Sequence, residues 1–291
     1  MTHRFDRFDR FACIDWSGAV GDRLKGIAIA TCKAGEEAPS LVIPPRGRWS
    51  RQEVLDWLIA QAPRRMLIGL DLSPSLPFAD EGAFLPGEGT APADARALWA
   101  YVEAGSAGQA HHAVSHFVAD HAAHFRIGMR TGARFRTAGN GRMRATEVAA
   151  RAQGVRPYSC FNLVGASQVG RSSLTGMRVL HALDGRIPFW PFDPVPEEDA
   201  LLVEIYTSIA ARRAGVTGGT KLRSIEALNR ALTAPAIASA PVPGAGAIDD
   251  HSGDALLTAA WLRRAAVDPD LWHPHDLEPV RDTEGWTFGV R

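Results

Sequence analysis

Short, continuous apolar runs open this chain, and polar residues close each of them. Phe11-Ala12-Cys13-Ile14 ends on Asp15, and Gly18 follows within three residues. A run of this kind is the pattern of a strand buried on both faces. Gly26 to Lys33 predicts a second strand and Ser40 to Ile43 a third, and their short polar connections argue for antiparallel neighbours. Ser50 with Glu53 three residues on is a capping box. Val54, Leu55, Trp57, Leu58 and Ile59 then give a helix its apolar face, and Pro63 closes it. Residues 66–71 (MLIGLD) predict a fourth strand. A helical crossover leads into it, so it lies parallel to a neighbour in the same sheet.

The period then breaks. Residues 74–100 are rich in Pro, Gly and Ala and read as loop, whereas 95–125 read as helical and carry His111, His112, His116, His121 and His124. Residues 160–195 are mixed and include the cluster Phe189-Trp190-Pro191-Phe192-Asp193-Pro194. Regular structure returns at residues 200–206 (ALLVEIY), a fifth strand with Glu204 inside it. One or two helices follow within 207–233, and 234–247 is a low-complexity loop. The last strong helix opens at Asp249-Asp250 and runs to about Arg264. Residues 266–291 form a tail with room for a short strand at Trp286 to Val290. No internal repeat is visible. The division expected is one domain over 1–291, with an insertion at 79–195 between the fourth and fifth strands.

Acids fall at strand ends and at a helix start. Asp15 and Asp71 each stand where an apolar run stops, and a charge in a strand interior is costly without compensation. Asp250 and Asp254 are four residues apart and share a helix face. A divalent cation is the usual way to hold such carboxylates together. Two cations roughly 4 Å apart are the general apparatus for in-line phosphoryl transfer, and oxygen ligands select magnesium or manganese over zinc. Each acid also has a plain structural reading. Asp15 and Asp71 can shape turns, Asp249 or Asp250 can cap a helix, and Glu204 can pair with an arginine.

Composition limits the picture without directing it. The 291 residues are 46% hydrophobic and 22% charged with formal net charge zero, as in an ordinary globular protein. The three cysteines, Cys13, Cys32 and Cys160, are odd in number and widely spaced, which predicts buried thiols in a reducing compartment. The N-terminal MTHRFDRFDRF has no signal-peptide pattern and no segment is long enough to span a membrane, so a cytoplasmic protein is expected.

Taken together, the segments ACIDWSGA, LIGLDLSPSLPF, RMRATE (142–147), NLVGASQVG (162–170), FWPFD (189–193), VEIYTS (203–208) and DDHSGDALLTAAWL (249–262) span nearly the whole chain. In that order they resemble the bacterial and archaeal family called domain of unknown function 429, a family of ribonuclease H-like nucleases by prediction. The resemblance implies an α/β fold: a ribonuclease H-like mixed five-stranded sheet with helices on both faces and a long insertion between strands 4 and 5. It implies metal ligands at Asp15, Asp71 and Asp254, with Glu204 and Asp250 completing a catalytic set, and magnesium or manganese as cofactor. The chain departs from typical ribonuclease H in having no clear acid in its first helix, where Glu53 also completes the capping box.

Residues 126–156 hold eight arginines and a single acid, Glu147. Arg134, Arg136, Arg142 and Arg144 flank Gly139-Asn140-Gly141, an expected turn, and are candidates to bind the phosphates of a nucleic acid or nucleotide. A solvated, self-paired surface explains them equally well. His112 and His116 have a zinc-compatible spacing, but no HExxH is present and a polar helix face accounts for them better. Gly218-Gly219-Thr220-Lys221 lacks the spacing of a phosphate loop, and Phe189, Trp190 and Phe192 read as packing. Three functions stay open: a metal-dependent nuclease, an actin-like nucleotide-binding phosphotransferase or ATPase, and a non-catalytic nucleic-acid-binding module.

Overall fold

The protein is described by a computed structural model covering residues 7–89, 92–136, 140–164, 169–216 and 221–291. Gly139 of the expected turn, Gly218 to Thr220 of the glycine-rich stretch, residues 165–168 of a family-like segment and the first six residues lie outside the described residues.

The first half contains β1 (Arg10–Asp15), β2 (Ala28–Lys33), β3 (Ser40–Leu41), α1 (Arg51–Gln61), β4 (Met66–Asp71), α2 (Ala95–Gly105), α3 (Ser115–Asp120) and the small pair β5 (Arg126–Ile127) and β6 (Arg130–Thr131). Then come α4 (Ala145–Ala152), α5 (Val169–Leu183), β7 (Phe189–Trp190), β8 (Leu201–Glu204), α6 (Thr207–Arg213), α7 (Ile225–Leu232) and α8 (Asp250–Ala265). The capping box of α1 is formed. Ser50 Oγ accepts from the Glu53 amide at 3.1 Å, and the Ser50 amide donates to Glu53 Oε2 at 3.0 Å.

Six strands make the main sheet, in the order β3-β2-β1-β4-β8-β7. β2 is antiparallel to β1 and β3, while β1, β4, β8 and β7 run parallel. This corrects the expected five strands. The sixth is Phe189–Trp190, seated beside Leu202 and Val203 of β8. Pro188 before it and Pro191 after it mask its strand character in the sequence, and both are tolerated because the strand lies at the sheet edge.

The long insertion is a structural layer. Its helices α2 and α5 pack on each other and, with α1, cover one face of the sheet, where Ile14, Ile68 and Leu70 meet Leu98, Trp99, Leu174 and Met177. The other face carries α8 across β1 and β2, with α6 and α7 against α8. Residues 95–125 are several short helical pieces instead of one helix. Gly105 ends α2, and the backbone turns at His111 and His112 with φ of 57° and 52°. His112 and His116 therefore do not share a helix. Trp286 to Val290 is not a strand, but it is buried, with one bridge from Thr287 to Glu204. Among the described residues no helix is long and apolar enough to cross a membrane.

Candidate functional site

The parallel pairing brings the acids together. Asp15 at the end of β1 is the register partner of Asp71 at the end of β4. Leu70 in turn faces Glu204 on β8, so three adjacent parallel strands end in acids. The carboxyl edge of parallel strands is where open α/β sheets place ligands. The loop after Asp15 is fixed from two sides. Arg51, buried on α1, donates to the carbonyls of Ser17 at 2.8 Å and Ala19 at 2.7 Å. Gly18 lies so close to α5 that a Cβ there would stand 2.4 Å from the Ser172 nitrogen.

These strand ends floor a cavity of about 390 Å³, within the range of small-ligand sites. Five carboxyl groups line it: Asp15, Asp71, Glu147, Glu204 and Asp254. Facing them are Arg144, Lys221 and His251, so acid is in excess even with the imidazole charged. α8 supplies His251 and Asp254, three residues apart and on one helix face. His251 Nδ1 is 3.3 Å from Asp15 Oδ1, and Lys221 Nζ is 2.8 Å from Asp254 Oδ2. Thr207 donates its hydroxyl to Asp71 Oδ2 at 3.3 Å.

Burial shapes the protonation of this group. It pushes the Asp15 carboxyl up from 3.8 to about 6; the His251 hydrogen bond opposes the rise and the charge of Asp254 adds to it. Asp71 is raised well above its ordinary range by burial and then by the charges of Asp15 and Asp254. His251 is raised by its hydrogen bond to Asp15. Burial lowers Lys221 and is the largest single influence, but the hydrogen bond to Asp254 and the charges of Asp254, Asp15 and Asp250 together outweigh it and raise the ammonium above its ordinary value.

Glu204 belongs to a different set. Arg144, fully buried, grips both Glu204 oxygens, one of them at 2.9 Å from Nη1, and its Nε donates to Glu147 Oε1 at 3.0 Å. Thr287 donates to Glu204 Oε1 at 2.9 Å, and Arg144 Nη1 also reaches the Glu284 carbonyl at 3.0 Å. Glu204 is thus an arginine partner and its oxygens are engaged. Asp250 is turned away from the cavity, with Arg223 Nε at 2.7 Å and Nη2 at 3.1 Å.

The arginine reading is corrected in the same way. Arg134, Arg136, Arg142 and Arg144 do not project from one tip. Arg142 is buried and donates to Asp80 and to the carbonyls of Pro77, Ala83 and Phe84. Arg136 pairs with Glu81 at 2.6 Å, and Arg134 donates to the Pro86 carbonyl at 2.5 Å. Of the four, Arg144 alone lines the cavity, and it is neutralised there. His121 and His124 both stand beside Glu88 Oε1, at 3.5 and 3.2 Å.

The site residues that sequence reading missed are His251, Lys221, Thr207 and Glu147. His251 was legible as the i, i+3 partner of Asp254, inside a segment already singled out. Lys221 stood in the glycine-rich stretch set aside because its spacing is not that of a phosphate loop, and nothing local to that stretch pointed to its contact with Asp254 on α8.

Asp15, Asp71 and Asp254 form an oxygen-only donor set with surplus negative charge, which fits a hard divalent cation in kind. As the side chains stand, no three His, Cys, Asp or Glu groups among the described residues converge as metal ligands. Asp254 is occupied by Lys221. No family model, no curated protein and no solved structure matches the chain.

Proposed function

We propose that this chain is a metal-dependent phosphodiester hydrolase of the nuclease type, built on a ribonuclease H-like fold and related to the domain of unknown function 429 family. The observation that carries the reading is the register of Asp15 on Asp71 across two parallel strands, with Asp254 arriving from α8. Asp15, Asp71 and Asp254 would hold magnesium or manganese, which supplies charge for an oxygen leaving group and acidity for an attacking water. Thr207 orients Asp71, and His251 shares a hydrogen bond with Asp15. Arg144 with Glu204 fixes the wall beside them.

The cavity carries excess acid, so a bare phosphate is repelled and a metal-bound phosphate is favoured. Its volume suits a short phosphodiester or a strand end, and the substrate class is a nucleic acid or nucleotide. Arg142 and Arg144 are buried and paired, which weighs against the whole stretch acting as one binding face, whereas Arg130, Arg134, Arg136, Arg151 and Arg156 stay exposed, so the non-catalytic, arginine-faced module is tested by nucleic-acid binding that survives chelation. The actin-like reading needs a duplicated core, and the described residues hold one large sheet. The three buried, unpaired cysteines favour a cytoplasmic, reducing location.

Manganese titration by calorimetry on the wild type and Asp15→Asn tests the site: binding by the wild type and a loss of at least tenfold in the variant is expected. Equal affinities would remove the proposal. Turnover is sought on single- and double-stranded DNA, RNA, hybrids and nucleotides, each with manganese and with chelator. Metal-dependent cleavage of a phosphodiester supports the reading, and nucleotide phosphoryl transfer alone would favour the actin-like rival.

A further inference from the structure

One side of the cavity mouth carries the opposite charge to the cavity floor. Pro157, Tyr158 and Tyr206 line the cavity there. The two stretches that supply them, 148–158 and 205–216, hold Arg151, Arg156, Arg212 and Arg213 and no acid. All four arginines are exposed, and among the described residues none of them is in an ion pair. The stretches are tied to each other. Tyr206 donates its hydroxyl to the Arg156 carbonyl at 3.3 Å, and Arg212 Nη2 donates to the Gln153 carbonyl at 3.4 Å. Gln153 Nε2 donates in turn to the Arg291 carbonyl at 2.6 Å. Val155 and Ser159, both buried, pin the two ends of the turn that carries Arg156 and Tyr158. Tyr158 is 48% exposed, and no other Phe, Trp or Tyr among the described residues is exposed. An open ring therefore stands at the cavity edge on a backbone that is held.

We infer that this rim docks a single-stranded nucleic acid, with an unpaired base stacked on Tyr158 and the neighbouring phosphates on Arg151, Arg156 and Arg212. The inference rests on the reading of a nucleic acid as substrate, and it needs no metal ion. Unpaired cationic charge and an open ring are each ordinary on a surface. Here they share one short, fixed rim at the edge of a cavity, which is the combination that single-strand sites use. The guanidinium groups meet the phosphate backbone, and the ring accepts any base because every base has a π face. A duplex keeps its bases stacked inside the helix, where a ring at the surface does not reach them. The charge pattern also places the strand: the acids of the floor repel the flanking phosphates, and the arginines of the rim hold them. An acidic peptide would use the same arginines without the ring, so Tyr158 is the residue that separates the two partners.

Fluorescence anisotropy of a short labelled oligothymidylate, and of a duplex of the same length, tests this in chelator at about 50 and 200 mM salt. Thermal melts confirm that each variant is folded. Expected is single-strand binding by the wild type that weakens with salt. Arg151→Gln combined with Arg156→Gln should weaken it about tenfold and reduce the salt slope by about 1.4, the share of two single-strand phosphate contacts. Tyr158→Leu should weaken it about fivefold or more, and Tyr158→Trp should restore it. Arg46→Gln combined with Arg130→Gln removes two exposed charges that do not line the cavity, and should change affinity by less than about twofold. The duplex should bind more weakly than the single strand and be indifferent to Tyr158→Leu. Unchanged single-strand affinity in Tyr158→Leu overturns the inference, as does an equal loss in the control pair. A wild type that binds neither single strand nor duplex, with chelator or with manganese, overturns the nucleic-acid reading itself.

Discussion

Two charged centres lie side by side at the carboxyl edge of the sheet, and they are built on opposite principles. Around Arg144, two acids share one base, but both are bonded directly to it: Glu204 and Glu147 take its guanidinium, Thr287 adds a hydroxyl, and the Glu284 carbonyl takes a further bond. Around Asp15 and Asp71 the partners are an imidazole, His251, and a hydroxyl, Thr207, in place of a guanidinium, and burial with the charge of Asp254 pushes both carboxyls toward protonation. A saturated buried network ties distant segments together and resists change. An under-compensated one stores unfavourable charge, which a ligand can relieve. The first centre is therefore architecture and the second is the place to look for chemistry.

Breaking the first centre should have the largest effect. Arg144→Met leaves two buried carboxylates without their cation and is expected to lower stability by about 3–5 kcal/mol in denaturant unfolding. Adding Glu204→Gln should recover part of that loss. A single-variant loss under about 1 kcal/mol would show that the network is not a structural centre of the fold.

The second centre should respond with the opposite sign. The folded chain keeps the Asp15 proton up to about pH 6, whereas the ordinary carboxyl releases it near 3.8. Ionisation therefore opposes folding. The penalty is absent below pH 3.8, grows through the interval and is complete above about 6. Asp15→Asn should match the wild type at pH 3.5 and be more stable at pH 7.5, by at most about 3 kcal/mol. Loss of the His251 partner reduces the gain. Manganese should raise the melting temperature of the wild type and leave that of the variant unchanged. A destabilised variant at pH 7.5 would make Asp15 a structural acid like Glu204.

The contrast between the centres was only partly readable in the sequence. The apolar runs ending at Asp15 and Asp71, the capping box at Ser50 and the crossover between them all carry local periods, and the parallel pairing of β1 and β4 followed from connectivity. What could not be read depends on contacts far apart in the chain. Glu204 looks like Asp15 and Asp71 along the sequence, and Arg144, sixty residues away, is what separates it from them. The arginine-rich stretch looked like one basic surface because composition does not register which side chains fold inward. Glu284 sat in what read as a tail, yet it caps three backbone amides from two other segments.

Glu284 sharpens the comparison at an intermediate size. Its Oε1 accepts from the amides of Phe78 at 2.6 Å and Ala79 at 2.8 Å, and its Oε2 from Ala145 at 2.6 Å, next to Arg144. Glu284→Gln keeps the shape but removes the charge and one acceptor, which should cost about 1–2 kcal/mol. Hydrogen exchange should quicken at residues 78, 79 and 145. Unchanged protection there would mean that this segment does not hold the Arg144 centre in place.

The smallest effect separates two acids on one helix. Asp250 and Asp254 are four residues apart, and helical spacing alone assigns them the same role. The structure does not: Asp250 is paired outward with Arg223, and Asp254 points into the cavity with Lys221. Asp250→Asn should leave manganese affinity unchanged, with a stability change within measurement error because its ion pair is exposed. Asp254→Asn should weaken manganese binding at least tenfold. Equal losses in the two variants would mean that the first turn of α8 presents both acids to the ion, and the division between an outer structural pair and an inner functional one would fall. Loss in Asp250→Asn alone would exchange their roles. Either result would relocate the site by one helical turn and leave the register of Asp15 on Asp71 as its fixed point.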